Sequence, residues 1–195
     1  MNETDQTPYE RVVAAMRAVP RADFLPSKMR KLAEIDAPLP IGDDQTNSQP
    51  STVEIMLQLL DVRTGHRVLD VGAGSGWTTA ILTHLVGEEG RVLGVERQAR
   101  LIPPARTALD KHASGRASIV RALPRTLGVP EEAPFDRILV SAEALRVPDS
   151  LVDQLADDGV MVIPVDGIMH RVQRHGEETR VSRHGLFRFV PLIEP

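Results

Sequence analysis

The sequence predicts an α/β protein whose mostly parallel sheet carries helices on both faces. Between residues 67 and 164, short apolar runs typical of buried strands alternate with longer segments of helical periodicity. Such alternation favours a parallel sheet, because parallel neighbours require a long crossover that is usually a helix. After Asp166 the pattern becomes alternating and glycine-punctuated, which is typical of antiparallel strands.

The N-terminal segment predicts an amphipathic helix from about Tyr9 to Val19, which Pro20 ends. A second short helix is expected over residues 27–33. The following stretch, APLPIGDDQTNSQP at residues 37–50, contains too many proline, glycine and aspartate residues for regular structure. We therefore predict a long polar loop there.

The central segment supplies the elements of the parallel sheet. Pro50 suits the first turn of a helix, since it lacks the amide hydrogen that a helix start leaves unpaired, and Thr64-Gly65 is expected to close this helix. Pro103-Pro104 should shorten or kink the helix in which it lies. Strands are predicted at residues 67–72, 91–96, 117–120, 135–141 and 160–164, and helices at 77–87, 98–112 and 149–155.

The length of 195 residues suits one domain with a sizeable core and is short for two. We expect a single domain over residues 1–195. Its three parts are an N-terminal helical extension with the polar loop at 1–50, a core at 51–165 and C-terminal strands at 166–195.

Composition excludes several classes of protein. The chain has 27 acidic against 23 basic side chains, so it has no general attraction for nucleic acid or anionic lipid. No apolar run is long enough to span a membrane, and the N-terminus is polar and acidic rather than signal-like. Cysteine is absent, which excludes disulfides and thiol chemistry and favours a reducing compartment, by default the cytoplasm.

A metal site is not expected. The histidines are scattered over predicted turns, helix faces and terminal strands, without a close pair spaced for shared coordination beside an acid. The basic side chains of the last strands are interpreted as a solvated face. The histidines are His66, His84, His112, His170, His175 and His184.

A glycine-rich turn joins the first predicted core strand to its helix. Gly72, Gly74 and Gly76 let the backbone turn sharply and approach a ligand at the carboxyl end of a strand. Their every-second-residue spacing differs from the G-x-G-x-x-G of dinucleotide-binding proteins. Glu96 ends the next strand, where a carboxylate can accept both hydroxyl hydrogens of a ribose. The alternatives are a tight turn without ligand and a solvated acid at a strand end.

Several motifs in order resemble those of the protein-L-isoaspartate O-methyltransferase family. They are AMRAVPRADFLP, PLPIGDDQTNSQP, RVLDVGAGSGWTTAIL, APFDRILVSA, DQLADDGVMVIPV and FRFVPL. The resemblance spans nearly the whole chain and implies a Rossmann-like, class I S-adenosylmethionine-dependent methyltransferase fold. It also implies methyl transfer from S-adenosylmethionine to the free carboxylate of L-isoaspartyl residues in peptides or proteins, the first step of protein repair.

The resemblance assigns roles to individual residues. The loop motif of the family matches at Gly42, Gln45, Thr46, Ser48 and Pro50. It implies an active-site role for Ser48 and a substrate-binding role for Gln45, Thr46 and Ser48. Alternatively, the hydroxyls of Ser48 and Thr46 cap the helix that starts at Pro50.

The cofactor site is implied by the same resemblance. The residues expected to contact S-adenosylmethionine are Asp70, near its amino group, the three glycines Gly72, Gly74 and Gly76, and Glu96 at its ribose. Trp77 is interpreted as a core residue. No metal is implied.

The chain departs from the family pattern at three places. Arg121-Ala122-Leu123 replaces a segment whose acid contacts adenine, Glu143 and Arg146 bring charge to a segment that normally faces substrate, and Asn47 stands where the family often has isoleucine or valine. These departures leave two alternatives open: carboxyl methylation of another peptide or protein, and a catalytically idle cofactor-binding homologue.

Overall fold

The computed structural model describes residues 6–113 and 115–194. Residues 1–5 of the polar N-terminus lie outside this part. The α-helices are α1 (Pro8–Ala18), α2 (Pro50–Leu60), α3 (Trp77–Val86), α4 (Ile102–Ala113) and α5 (Asp149–Val152). The strands are β1 (Leu39–Gly42), β2 (Gln45–Asn47), β3 (Arg67–Val71), β4 (Arg91–Glu96), β5 (Ala117–Arg121), β6 (Phe135–Val140), β7 (Leu155–Val165), β8 (Ile168–His175) and β9 (Glu178–Leu186).

Seven strands form one sheet in the order β5-β4-β3-β6-β7-β8-β9. The first five of these are parallel to one another, whereas β8 pairs antiparallel with both β7 and β9. The predicted α/β class and the change to antiparallel pairing after Asp166 are therefore confirmed. The strand order runs outwards in both directions from β3, so a crevice opens where the carboxyl ends of β3 and β6 meet.

Alternating side chains of the strands supply two apolar layers. Val68 of β3 and Leu139 of β6 belong to one cluster, which also contains apolar residues of α1, α2, α3 and α4. Leu69 and Ile138 point to the other cluster, which includes Leu151 of α5. The sheet is thus covered on both faces, and the N-terminal helix α1 shares the larger core.

The predicted polar loop at residues 37–50 contains a β-hairpin, so the expectation of irregular structure was wrong there. Strands β1 and β2 pair antiparallel around Asp43 and Asp44, which have φ values of 49° and 57°. Two successive residues in the left-handed region form the type of two-residue turn that matches strand twist, and aspartate tolerates this conformation better than most residues. Local turn chemistry therefore outweighs the unfavourable composition.

Helix boundaries also differ from the prediction. The second N-terminal helix is only a 3-10 turn at Arg30–Leu32, and α2 ends at Leu60 because Asp61 adopts a left-handed conformation with φ of 47°. Helix α4 begins at Ile102, with Pro103 and Pro104 in its first turn, as the predicted shortening requires. Of the helices in the described ranges, none has the length and apolar character that crossing a membrane requires.

Candidate functional site

A cavity of about 980 Å³ lies at the carboxyl ends of the parallel strands. This volume lies at the upper end of the range for small-molecule sites. Its walls come from segments that are far apart in the sequence. These segments are residues 44–48, 71–75, 77–78, 95–98, 121–128, 141–142 and 190–194.

The glycine-rich turn forms the floor of the cavity at Gly72 and Gly74, which have φ values of 84° and 53°. A β-carbon at Gly74 would lie 3.4 Å from Cδ1 of Ile41, so strand β1 lies close against the turn. Gly76 does not line the cavity. A β-carbon there would lie 3.1 Å from Cδ1 of Ile119 and 3.3 Å from the carbonyl oxygen of Ala105. Close packing against α4 and β5 accounts for this third glycine.

Glu96 lines the cavity and is almost fully buried. Its Oε2 accepts a hydrogen bond from the Gly74 amide at 2.7 Å, and its Oε1 accepts one from the Gln98 amide at 2.7 Å. A carboxylate has about four acceptor positions, so two remain for hydroxyl donors. The carboxylate is therefore oriented by backbone and still open to a ligand.

Asp70 is fully buried and does not line the cavity. Its Oδ2 accepts hydrogen bonds from the hydroxyls of Thr78 at 2.8 Å and Thr79 at 2.7 Å. Its Oδ1 has no hydrogen-bond partner among the described residues. Burial raises the pKa of this carboxyl to about 6. The structure thus places Asp70 behind the glycine-rich turn, with one buried acceptor oxygen unpaired.

The predicted substrate residues Gln45, Thr46 and Ser48 all line the cavity. Ser48 is half-buried, and its carbonyl oxygen accepts a hydrogen bond from Arg21 Nη2 at 2.9 Å. Within residues 6–113 and 115–194, the Ser48 hydroxyl has no partner. Hairpin and glycine-rich turn consequently face one another across the same space.

Helix α2 is capped by neither of the hydroxyls that the sequence offered for this role. Gln49 occupies the N-cap position without a side-chain cap. Instead Asp36 accepts hydrogen bonds from the Ser51 amide at 2.9 Å and from its hydroxyl at 2.8 Å, which lowers the pKa of Asp36. The capping alternative for Ser48 and Thr46 is therefore wrong.

Sequence reasoning missed the polar contacts beneath the hairpin. Asn47, which the sequence marks only as a departure, is buried between Arg21 and Ser75. Trp77 is 3% exposed and donates its indole N–H to the Val19 carbonyl at 3.0 Å, which confirms its core position, and it also lines the cavity. The burial of Arg21 could not be predicted from a single sequence, since most arginines are exposed.

The segment after β6 also differs from expectation. Glu143 and Arg146 do not line the cavity. Glu143 pairs through its backbone with Val190 and Leu192, and its Oε2 accepts a hydrogen bond from the Phe189 amide at 3.3 Å. The C-terminal segment 190–194, held in this way, forms the wall that these charged residues were expected to form.

The segment that follows β5 forms the adjoining wall. Arg121, Ala122 and Leu123 all line the cavity, and the Ala122 amide donates a hydrogen bond to the carbonyl oxygen of Glu96 at 2.9 Å. This position therefore carries no acid: Arg121 is a basic, exposed residue, and Ala122 and Leu123 are apolar.

The C-terminal strands carry a group of possible metal ligands that the sequence did not indicate. Asp157, Asp158 and His175 are exposed, with one ligand atom from each lying within 4.8 Å of the others. Asp158 accepts a hydrogen bond from His175 Nδ1 at 2.6 Å, which raises the pKa of the histidine. None of the three lines the cavity. His170 is buried rather than solvated, contrary to the expected solvated face.

Comparison with known proteins agrees with this geometry. The family model described as Protein-L-isoaspartate(D-aspartate) O-methyltransferase (PCMT) matches residues 2–195. The chain is 48% identical over 188 residues to a protein-L-isoaspartate O-methyltransferase of Methanopyrus kandleri, covering 94% of this chain and 83% of the relative. It is 44% identical to the Methanothrix thermoacetophila protein of the same name, covering 94% and 88% of the two chains.

A solved structure has the same fold. It is a putative protein-L-isoaspartate O-methyltransferase from Plasmodium falciparum in complex with S-adenosyl-L-homocysteine. The TM-score is 0.84 at 24% identity, and the match covers 95% of this chain and 91% of that one. The class of the fold, with its parallel sheet and C-terminal antiparallel strands, therefore agrees with that of a known methyltransferase-like protein.

Proposed function

The chain belongs to the protein-L-isoaspartate O-methyltransferase family, and on this premise we propose that it methylates the free carboxylate of L-isoaspartyl residues. The methyl donor is S-adenosylmethionine, and the substrates are peptides or proteins. The observation that carries the proposal is the position of the unpartnered Ser48 hydroxyl, which lines the same cavity as the glycine-rich turn and Glu96.

The residues present fit this cofactor. Gly72 and Gly74 form a floor without side chains, and the Glu96 carboxylate keeps two acceptor positions for the ribose hydroxyls. Asp70 lies behind the turn and does not line the cavity, so its expected position near the amino group of the methionine part stays a prediction. When bound, S-adenosylmethionine supplies an electrophilic methyl group on a sulfonium sulfur. Arg121, Ala122 and Leu123 form the adjoining wall, in place of the acid of the family.

The residues of the chain have to align the substrate carboxylate and do not have to deprotonate it. A carboxylate with an ordinary pKa near ~4 is ionised at neutral pH, so it attacks without a general base. The Ser48 hydroxyl donates a hydrogen bond to one carboxylate oxygen and leaves the other free to attack. The hairpin and the C-terminal segment 190–194 both line this space, so a peptide bound between them displaces water from the reacting groups. Alignment and desolvation are the two contributions that such a site supplies.

The test is methyl transfer from labelled S-adenosylmethionine to an isoaspartyl peptide, compared with the same peptide containing normal aspartate. We expect transfer only to the isoaspartyl form. Ser48→Ala should reduce kcat/KM by roughly 10- to 150-fold, the equivalent of one hydrogen bond to a charged group. Cofactor affinity, measured by calorimetry, should stay unchanged.

Ser48→Thr is the matched control, because it keeps the hydroxyl at the same position. It should retain more activity than Ser48→Ala. If the wild-type protein binds S-adenosylmethionine and leaves the isoaspartyl peptide unmodified, the proposed substrate is wrong. If Ser48→Ala has wild-type kinetics, the hydroxyl has no part in the reaction.

The proposed location rests on the composition of the chain. A chain without cysteine is compatible with a reducing compartment, and we propose that this protein acts in the cytoplasm on damaged proteins.

A further inference from the structure

Arg21 is a buried cation beneath the hairpin. It lies in a 3-10 turn and is 5% exposed. All its N–H groups take part in hydrogen bonds, and five of the six acceptors are carbonyl oxygens. The bonds run from Nε to Asn47 Oδ1 at 2.7 Å, from Nη1 to the carbonyls of Ala33 at 3.2 Å and Ile35 at 3.0 Å, and from Nη2 to those of Ala37 at 2.8 Å, Asn47 at 3.0 Å and Ser48 at 2.9 Å.

The charge of Arg21 is balanced by dipoles rather than by a contacting carboxylate. Burial lowers the pKa of the guanidinium, whereas the charges of Asp36 and Glu34 raise it. The guanidinium carbon also lies 5.5 Å from the centre of the Trp77 ring, within the range of a cation–π contact. A buried charge is costly unless its donors are all paired, so this arrangement constrains the backbone that supplies the carbonyls.

Asn47 extends this network to the cofactor side of the cavity. Its Oδ1 accepts from Arg21 Nε, while its Nδ2 donates to the hydroxyl of Ser75 at 2.9 Å. Ser75 lies between Gly74 and Gly76 in the glycine-rich turn. One continuous path of hydrogen bonds therefore joins the N-terminal segment, the hairpin and the turn.

We propose that Arg21 and Asn47 are positioning residues that set the distance between Ser48 and the glycine-rich turn. The proposal rests on the proposed function, because it concerns the alignment of the carboxylate with the donor methyl group. Arg21 holds the carbonyls of Asn47 and Ser48, and the Asn47 amide ties that end of the hairpin to Ser75. A displacement of about 1 Å between reacting groups can cost two orders of magnitude in rate.

The first test separates positioning from binding. Asn47→Val and Ser75→Ala each break the link to the turn, and Ser75→Thr keeps the hydroxyl as a control. We expect kcat, expressed per cofactor-binding site from calorimetric stoichiometry, to fall on the order of tenfold in the first two variants. The peptide KM and the cofactor Kd should stay within about threefold, and Ser75→Thr should keep most of the activity.

The double variant adds a second criterion. Both changes break the bond between Asn47 and Ser75, and Asn47→Val also removes the acceptor of Arg21 Nε. The double variant should therefore be no slower than Asn47→Val alone. Losses that multiply, or an unchanged kcat per site, would overturn the proposal. Arg21→Lys keeps the charge but not the planar fork, and should lower kcat further if it folds. If Arg21→Lys does not fold, the Ser75 variants provide the test.

The second test does not depend on activity. Amide hydrogen exchange of residues 39–48, followed by mass spectrometry, should be several-fold faster in Asn47→Val and Ser75→Ala, while β3 and β4 keep their protection. Unchanged exchange in the hairpin would overturn the link even if the enzyme is active. If the wild-type protein binds cofactor but does not methylate isoaspartyl peptide, the proposed function is wrong. Amide hydrogen exchange then tests by itself whether Asn47 and Ser75 tie the hairpin to the turn.

Discussion

At the scale of single residues, the site contains three buried polar groups with different environments. Glu96 receives two amide hydrogen bonds, Arg21 is saturated by carbonyls, and Asp70 has one oxygen paired and one unpaired. Because a buried polar group without a partner is costly, the groups left open are the ones a ligand can pair with. Glu96, which lines the cavity, is therefore the residue at which cofactor binding is best tested, whereas Asp70 lies behind the turn.

Glu96→Ala should weaken S-adenosylmethionine binding by roughly 1–3 kcal/mol, because charged hydrogen bonds to the ribose hydroxyls are lost. Isothermal titration calorimetry measures the change. Glu96→Gln is the control, since it keeps the length and one acceptor oxygen and should lose less. Unchanged affinity in Glu96→Ala would remove this residue from the cofactor site.

Asp70 should make stability depend on pH in the ligand-free protein. Its pKa is raised from 3.8 to about 6 by burial, so between these values the folded state binds more protons than the unfolded state. The contribution of Asp70 to the free energy of unfolding therefore falls as pH rises through this window, by roughly 3 kcal/mol in all. Above pH 6 the folded protein carries the full cost of the buried charge.

Asp70→Asn isolates this contribution, because amide and carboxyl have nearly the same shape and only one of them titrates. The difference in the free energy of unfolding between variant and wild type should shift in favour of the variant from pH 4 to pH 7. Urea unfolding at both pH values measures it. A difference that is independent of pH would show that burial does not shift the pKa of Asp70.

At the scale of elements, the hairpin at residues 39–47 and the glycine-rich turn determine the shape of the cavity. The turn of the hairpin depends on Asp43 and Asp44 in the left-handed region, and Gly74 is the point at which Ile41 approaches the cofactor side. Both features require particular backbone conformations rather than particular functional groups. A substitution that changes the backbone preference of the hairpin should therefore change the binding of the peptide substrate without removing a group that takes part in methyl transfer.

Asp44→Val places a β-branched residue at a φ of 57°, where side chains of this kind are strained. We expect a cost of about 1–2 kcal/mol, concentrated in the hairpin. The peptide KM should rise while the Kd of S-adenosylmethionine changes little. Asp44→Asn is the matched control, since asparagine also adopts the left-handed conformation. Equal kinetics in the two variants would show that the turn does not hold the substrate wall.

Most elements could be predicted because each depends on a local pattern. Strands β3 to β6 are apolar runs, and the turn at Gly72 follows directly from one of them. The hairpin could not be predicted in this way, since its strands have only four and three residues, the first contains Pro40 and the second is polar. Pairing across the Asp43-Asp44 turn makes it regular, and pairing is not visible in composition.

At the scale of the whole molecule, the N-terminal segment and the sheet share one core. Val12 and Phe24 belong to the same apolar cluster as Val68 of β3 and Met169 of β8. Helix α1 is also tied to α2, since Arg11 and Asp61 form an ion pair at 2.6 Å. We therefore propose that residues 1–195 form a single cooperative domain.

Cooperative unfolding and cofactor binding can be tested together by differential scanning calorimetry. We expect one transition with equal calorimetric and van't Hoff enthalpies. S-adenosylmethionine at 100 times its Kd stabilises the folded state by about 2.7 kcal/mol, which raises Tm by roughly 5–10 °C for a chain of this size. Two separate transitions, with only one shifted by the ligand, would contradict the single domain.

The sequence by itself determined the parallel sheet, the position of the glycine-rich turn, the acid at the end of β4 and the resemblance to the family. These features follow from local periodicity, from glycine spacing and from motifs that are contiguous in the chain. Only the tertiary structure decided that Gly76 serves packing, that Asp70 lies behind the turn and that the C-terminal segment replaces Glu143 at the cavity wall. It also revealed the buried network of Arg21, Asn47 and Ser75. The physical reason is that burial and hydrogen-bond partners depend on residues tens of positions apart, which no local pattern records.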